Sequence, residues 1–477
     1  MKRASGVLMH VSSLPGQYSE GSFGREAYDW IDFLAESGFT CWQVLPFCLP
    51  DEYNSPYKSY SAFSLNPYFI DLPTLAKKGL ITQSELDGAR QQTPYSCEFN
   101  RLSRERIELL SLAASRMRDR SGVLAFIKDH PHTEEFCRFM ALREVNGKRE
   151  WQEWDTDEPD ADVLFAWEFM QYEFYTQWTA LKAYANGKGI SIIGDIPIYV
   201  ALDSSDVRNN PSIFRLDGDN RPTFIAGVPP DYFAKDGQIW GNPLYDWDEM
   251  AKDGYKWWRE RAAFMAELFD GVRIDHFRGL ESYFAIPANE STARNGKWVK
   301  GPGIELVNAL KEAAPECFFI AEDLGDITPE VRALVDESGF PGMRVLQFGF
   351  LGDKNSPHLP HNYDNNCVAY TGTHDNNTLL GYVWELDNET RTLLLSYFGY
   401  KEDDWDKCYG DVLREMFMSH AGLLILPVQD LLLYGRDTRL NTPGSSDGNW
   451  SYRVTSAQLS LLDKDKFRRW NSLYGRI

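Results

Sequence analysis

Eight short, largely apolar runs recur along the chain: GVLMHV (6–11), CWQVLP (41–46), SIIGDIP (191–197), GVRIDHF (271–277), CFFIAEDL (317–324), MRVLQFGF (343–350), CVAYTGTHD (367–375) and LLILPVQD (423–430). A short apolar run rich in β-branched residues suits a strand buried on both faces. Helical periodicity follows most of them, over 26–37, much of 161–187, 245–268, 303–314, 328–337, 409–420 and 456–470. Strands that alternate with helices predict parallel βα units. Eight units predict an α/β chain folded as a (β/α)8 TIM barrel, with a doubly wound open sheet as the competing arrangement.

Two gaps are too long for plain βα connections. The first includes the charged helical stretch RLSRERIELLSLAASRMRDR, so residues 72–160 are expected to form a mostly helical insertion after strand 2. The second, 204–244 after strand 3, is rich in Pro, Gly, Asp and aromatics, and is expected to be a loop-rich insertion over the barrel mouth. With no internal repeat, low-complexity tract or Pro/Ser linker, residues 1–477 read as one catalytic domain.

The formal charge of −21 disfavours nucleic acid and anionic membranes as partners and favours a neutral or cationic substrate. Seven cysteines, an odd and scattered set without CxxC, argue against both a disulfide framework and a structural zinc site. The N-terminal MKRASGVLMHVSSLPG lacks a sustained apolar core for a signal peptide, and no apolar run approaches the ~18 residues of a membrane span. A cytoplasmic location is expected.

Carboxylates cluster where the predicted strands end. Asp195 lies near the end of the third run, Asp275 ends the fourth, Glu322 and Asp323 the fifth, and Asp375 the seventh. Barrel active sites are built at these C-terminal ends. One such Asp is commonly a helix N-cap, but four strands repeating the pattern favour a site. In FDGVRIDHFRG (269–279), strand alternation puts Val272, Ile274 and His276 on one face and Arg273 with Asp275 on the other. The adjacent guanidinium favours an ionised Asp275, suited to nucleophilic attack or charge stabilisation.

Such a cluster serves either metal binding or glycosidic chemistry. His10, His276 and His374 are the candidate imidazole ligands, yet no H-x-H or H-E-x-x-H pair occurs and Arg273 opposes a cation, so no metal is expected. Glycosidic chemistry needs one ionised carboxylate and one protonated carboxyl. Glu322 follows the apolar CFFIA, where partial desolvation would raise its pKa and suit it to acid and base work. The stretches DEYNSPYKSYSAFSLNPYF (51–69) and GVPPDYFAKDGQIWGNP (227–243) mix aromatic faces with Asn, Ser and Gln, as sugar recognition requires. In the second, Pro229 and Pro230 stiffen one end, Gly237 and Gly241 permit sharp turns, and Tyr232, Phe233 and Trp240 offer apolar surface for a lid.

The segments SPYKSYSAFSLNPYFIDL, IIGDIPIYVALDSSDV, GVPPDYFAKDGQIWGNPLYDW, FDGVRIDHFRG, FIAEDLG, PGMRVLQFGF, GTHDNNT and RLNTPG, in that order, resemble the amylomaltases, the 4-alpha-glucanotransferases of the alpha-amylase clan. The resemblance runs to about residue 453 and implies a (β/α)8 barrel without a separate C-terminal β domain. It implies transfer of an α-1,4-glucanyl segment from a malto-oligosaccharide donor to the 4-hydroxyl of a glucan or glucose acceptor, with retention and with no cofactor. Carried over residue by residue, it makes Asp275 the nucleophile, Glu322 the general acid/base and Asp375 the holder of the distorted sugar's hydroxyls. Arg273 orients Asp275, His374 contacts the sugar at the cleavage subsite, and Asp195 has a partly structural role. Tyr57, Trp240 and Asn441 match sugar-contacting positions. Strand parity separates His374 from Asp375, so bringing both into the pocket requires the strand to bend. Two departures stand out: Lys58 replaces the usual Gln of SPYQ, and Arg208 replaces the usual Trp of DSADVW. The rival readings are a hydrolase that gives the same intermediate to water and a noncatalytic glucan-binding protein.

Overall fold

The computed structural model describes residues 2–230, 235–351, 353–401, 405–445 and 447–477. Eight strands, β1 Ala4–Leu8, β2 Cys41–Gln43, β3 Ser191–Ile196, β4 Gly271–Ile274, β5 Phe318–Ala321, β6 Gly342–Val345, β7 Cys367–Tyr370 and β8 Leu423–Pro427, form a closed barrel. Each overlaps one of the eight apolar runs. Every neighbouring pair is parallel, and β1 against β8 closes the ring. Helices cover the outside, including Arg25–Glu36, Ile304–Ala313, Pro329–Ser338 and Trp405–Met418. The helix expected over 245–268 is two, Trp247–Lys252 and Lys256–Leu268, because Gly254 and Tyr255 both turn left-handed between them.

Register fixes what the barrel holds. Gln43 pairs with Ile193, Asp195 with Arg273 and Arg273 with Ile320, so these side chains share one face. Arg273, Asp195, Gln43 and Tyr370 are all buried, and the Tyr370 hydroxyl donates to Gln43 Oε1 at 3.0 Å. Deeper in, a Cβ on Gly271 would lie 2.3 Å from the Phe318 ring, so glycine makes room for that ring. A polar layer therefore sits on an apolar one.

The long helix Ala161–Gly187 starts at Asp160, whose side chain accepts from the Asp162 and Val163 amides. It packs Phe174 and Trp178 against Phe23 and Phe47, and the Trp178 indole donates to Leu268 O at 2.9 Å. Burying a side chain of this kind contributes about 3 kcal/mol. On the same helix Gln171 exchanges two 2.8 Å hydrogen bonds with the main chain of Leu65, and the loop carrying Tyr57 is thereby tied down. Residues 72–160 carry helices at Leu72–Lys77, Gln83–Gly88, Ile107–Ser115, Ser121–Asp129 and Pro131–Val145.

A second, antiparallel sheet has the order Gln238–Pro243, Phe224–Val228, Ser282–Pro287, Lys297–Lys300. Two of its strands lie in 204–244, which is thus more regular than loop-rich composition suggests. A small core of Ile225, Phe284, Ile286 and Ala293 supports it. Tyr232 and Phe233, expected in a lid, lie outside the described residues. All seven cysteines are buried, and among the described residues none forms a disulfide. Among the described residues no helix is long and apolar enough to cross a membrane.

Candidate active site

The strand ends converge on Arg273. Its guanidinium, 4% exposed, donates from Nη1 to Asp195 Oδ2 at 2.6 Å and from Nη2 to Asp275 Oδ1 at 2.8 Å. The Tyr57 hydroxyl donates to the same Asp195 oxygen at 2.8 Å. Asp195 and Tyr57 thus hold the guanidinium fork, and the fork holds Asp275. Burial works against the Arg273 cation, but Asp195 and Asp275 outweigh it and keep its pKa above the ordinary arginine value. Burial pushes Asp195 up to about 6, against the pull of Arg273. Both groups are charged at neutral pH.

Glu322, just past β5, behaves differently. Burial, with the negative charge of Asp275, pushes its pKa up to about 7 against the opposing charge of Arg273. Its two oxygens accept the backbone N–H groups of His276 at 2.7 Å and Leu324 at 2.9 Å. A carboxyl with raised proton affinity therefore stands just past β5, while Asp275, just past β4, is bound by a guanidinium. The neighbouring Asp323 turns to β6, accepting from the Met343 amide and Arg344.

β7 ends at Tyr370, and the following turn is closed by Asn376 Oδ1, which accepts from the Thr373 amide and hydroxyl. This bend overrides strand parity and brings His374 and Asp375 into one pocket. His374 Nε2 lies 3.3 Å from Asp375 Oδ2, and Asn441 Nδ2 donates to Asp375 Oδ1 at 2.6 Å. Burial works upward on Asp375, but His374 and Asn441 outweigh it and hold the carboxyl well below the usual range. Arg439 donates to the carbonyls of Asp375 and Asn441, both at 2.6 Å, locking the pair. The Asp375 side chain remains 43% exposed and faces the pocket.

The pocket is a cleft of about 300 Å³ walled by Tyr57, Trp240, Asp275, His374, Asp375 and Asn441 among others. Tyr57 and His374 stack at 5.0 Å and 15°. Asp195, Arg273 and Glu322 are not among the residues that line the cleft; Asp195 and Arg273 reach it through their bonds to Tyr57 and Asp275, and Glu322, just past β5, is tied to the turn after β4 by the His276 amide. Sequence reasoning missed Trp450, Tyr199 and Asn242, which also line it. Tyr199 could have been found from IPIY after β3. Trp450, at φ 65 in an irregular segment, gave no periodic signal beyond an aromatic after Gly448.

The alternation read through FDGVRIDHFRG holds to Ile274 and fails at His276. Here φ is 51 and a 3-10 turn over Phe277–Leu280 begins, so His276 does not share the face of Val272 and Ile274 as expected. His10 is buried, its pKa pushed down to about 3 chiefly by desolvation, and its Nδ1 accepts the Leu45 amide. Lys58 lines the pocket and pairs with Asp51 at 3.3 Å. Arg208 instead pairs with Asp157 and lies over the Trp154 ring. Among the described residues no group of three or more His, Cys, Asp or Glu side chains is arranged to hold a metal ion.

A family profile described as 4-alpha-glucanotransferase matches residues 9–459. The chain belongs to the 4-alpha-glucanotransferase family. It is 44% identical to a 4-alpha-glucanotransferase of Streptococcus pneumoniae, over 100% of this chain and 98% of that protein. It is 40% identical to that of Clostridium butyricum, over 98% of this chain and 100% of the relative. Among solved structures it resembles the amylomaltase from Streptococcus agalactiae in complex with acarbose, with a TM-score of 0.94, 37% identity and 100% of each chain covered. The protein is thus a glucanotransferase enzyme, and the hydrolase and noncatalytic readings fall away.

Proposed function

We propose that the enzyme cleaves an α-1,4 bond of a malto-oligosaccharide by double displacement, with Asp275 as nucleophile, Glu322 as general acid/base and Asp375 as the anchor of the distorted sugar. The observation that carries this reading is the asymmetry around Arg273, which binds Asp275 at 2.8 Å while Glu322 next to it is raised to about 7. Asp275 attacks the anomeric carbon while Glu322 gives its proton to the departing 4-oxygen. Glu322, having given up its proton, is then the base for the incoming 4-hydroxyl, and because the glycosyl ester carries no charge at Asp275 the repulsion that added to the effect of burial is gone while its anion persists. Attack twice at one carbon retains configuration. Asp375, held ionised by His374 and Asn441, accepts from sugar hydroxyls and favours the cationic transition state.

His374, Tyr57, Trp240 and Asn441 contact sugar in this reading, and Arg273 and Asp195 position Asp275. The acarbose-bound relative supports an α-linked oligosaccharide as the ligand. The insertions 72–160 and 204–244 belong to one barrel domain, with the second flanking the pocket through Trp240 and Asn242. Seven buried cysteines that form no disulfide among the described residues support a cytoplasmic setting. No cofactor takes part in either step.

The ester meets water at ~55 M, so transfer prevails only where an acceptor sugar is bound with its hydroxyl aligned. Maltotriose should therefore give glucose plus a ladder of longer maltodextrins, with little increase in total reducing ends. Glucose and maltose alone, with reducing ends climbing steadily, would overturn the assignment.

A further inference from the structure

His276 has three features that the proposed chemistry leaves unused. Its backbone is left-handed, at φ 51 and ψ 46, a conformation that only a few per cent of non-glycine residues adopt, Asn, Asp and His more often than the rest, and that clusters at functional sites. Its N–H donates to Glu322 Oε2 at 2.7 Å. Its ring meets the Trp240 ring edge-to-face, with centroids 4.9 Å apart and planes at 84°. Gly279 makes room for this contact, since a Cβ there would lie 3.1 Å from His276 Cδ2 and 2.8 Å from Ile198 Cδ1. Burial pushes the imidazole pKa down to about 4, so the ring that packs on Trp240 is uncharged.

Trp240 comes from the antiparallel sheet and Glu322 from the barrel, and His276 touches both. We infer that His276 is a positioning residue that sets the pocket aromatic Trp240 relative to the acid/base Glu322, and so governs how well an acceptor hydroxyl, rather than water, meets that base. The left-handed turn makes the double contact possible. An extended residue at 276 would continue the alternation of β4 and could not use its amide on Glu322 while aiming its ring at the sheet. The inference rests on the roles given above to Glu322 and Trp240.

The test separates ring from turn. His276→Asn and His276→Gly both tolerate the left-handed conformation and remove the ring, Gly with the least strain. His276→Phe keeps an aromatic. With maltotriose as donor and acceptor, the ratio of hydrolysis to transfer should rise roughly three- to tenfold in the ring-less variants, the range expected for one aromatic pair. It should stay within about twofold in His276→Phe, on the same scale. Trp240→Ala should raise the ratio similarly, and Trp240→Ala with His276→Gly should raise it no further, since both remove one contact. The basic limb of kcat/KM should not move in His276→Gly, because the backbone N–H persists. An unchanged ratio in folded ring-less variants, or effects that multiply with Trp240→Ala, would overturn the coupling. Failure of the Glu322 role itself shows separately: Glu322→Gln would then lose activity equally on maltotriose and on α-glucosyl fluoride, whose leaving group needs little protonation.

Discussion

Asp275→Asn should lower the pKa of Glu322, and the size of the fall can be worked from the site. Glu322 is raised to about 7 by burial first and by the Asp275 charge second, with Arg273 opposing. A retaining pair stands about 5.5 Å apart, and at an effective dielectric of about 20 a unit charge at that distance is worth ~3 kcal/mol, or about two pKa units. Removing the Asp275 charge also leaves Arg273, with Nη2 freed of its 2.8 Å partner, to favour the Glu322 anion. Both effects act downward. The apparent pKa should fall from about 7 to about 5. Difference infrared titration of the protonated carboxyl band, comparing Asp275→Asn with Asp275→Asn/Glu322→Gln, isolates the group. In the active enzyme the same proton should appear as a basic limb of kcat/KM near 7. A Glu322 band that still titrates at 7 or above in Asp275→Asn would refute the claim that Asp275's charge adds to burial in raising Glu322.

Asn441→Ala removes the 2.6 Å donor to Asp375, and a hydrogen bond to a charged group is worth about 1.5–3 kcal/mol, so kcat/KM on maltotriose should fall roughly 10- to 150-fold. A change under twofold would remove Asn441 from the site's machinery. Glu20 is buried with Oε1 unpartnered among the described residues, and burial pushes its pKa up to about 8 despite Arg106 and Arg453. The folded state then binds this proton more tightly than the unfolded chain, so its contribution to stability is fully present below about 4.5 and is lost as pH rises towards about 8. Glu20→Gln should flatten the decline of Tm across that window, and an identical Tm–pH curve would contradict the assignment.

The barrel was legible because its strands are buried on both faces and are therefore apolar throughout, as in LLILPVQD around β8. The carboxylates proposed as catalytic stand out in the sequence for a related reason: each follows such a run, and Glu322 after CFFIA carries the raised pKa that desolvation implies. The antiparallel sheet was hidden because its edge strands Gln238–Pro243 and Lys297–Lys300 are largely exposed and carry no apolar run, and because Ser282–Pro287 and Lys297–Lys300 sit inside a connection between two barrel strands. Trp450 and His276 were hidden for another reason. Their left-handed backbones break the alternation and helical periods on which sequence reading depends, so neither side chain could be aimed from its neighbours. His374 lies between these cases, since its place in the pocket depends on a bend set by Asn376 rather than on β7.

The identity of the nucleophile is the centre of the account, and trapping the ester tests it most directly. Glu322→Gln, incubated with 5-fluoro-α-glucosyl fluoride, should accumulate a glycosyl-enzyme, because the activated leaving group needs no acid and breakdown lacks its base. Proteolysis and mass spectrometry should then find the sugar on the peptide containing FDGVRIDHFRG, attached at Asp275. A sugar on Asp375 or Asp195, or no adduct while fluoride is still released, would contradict the account.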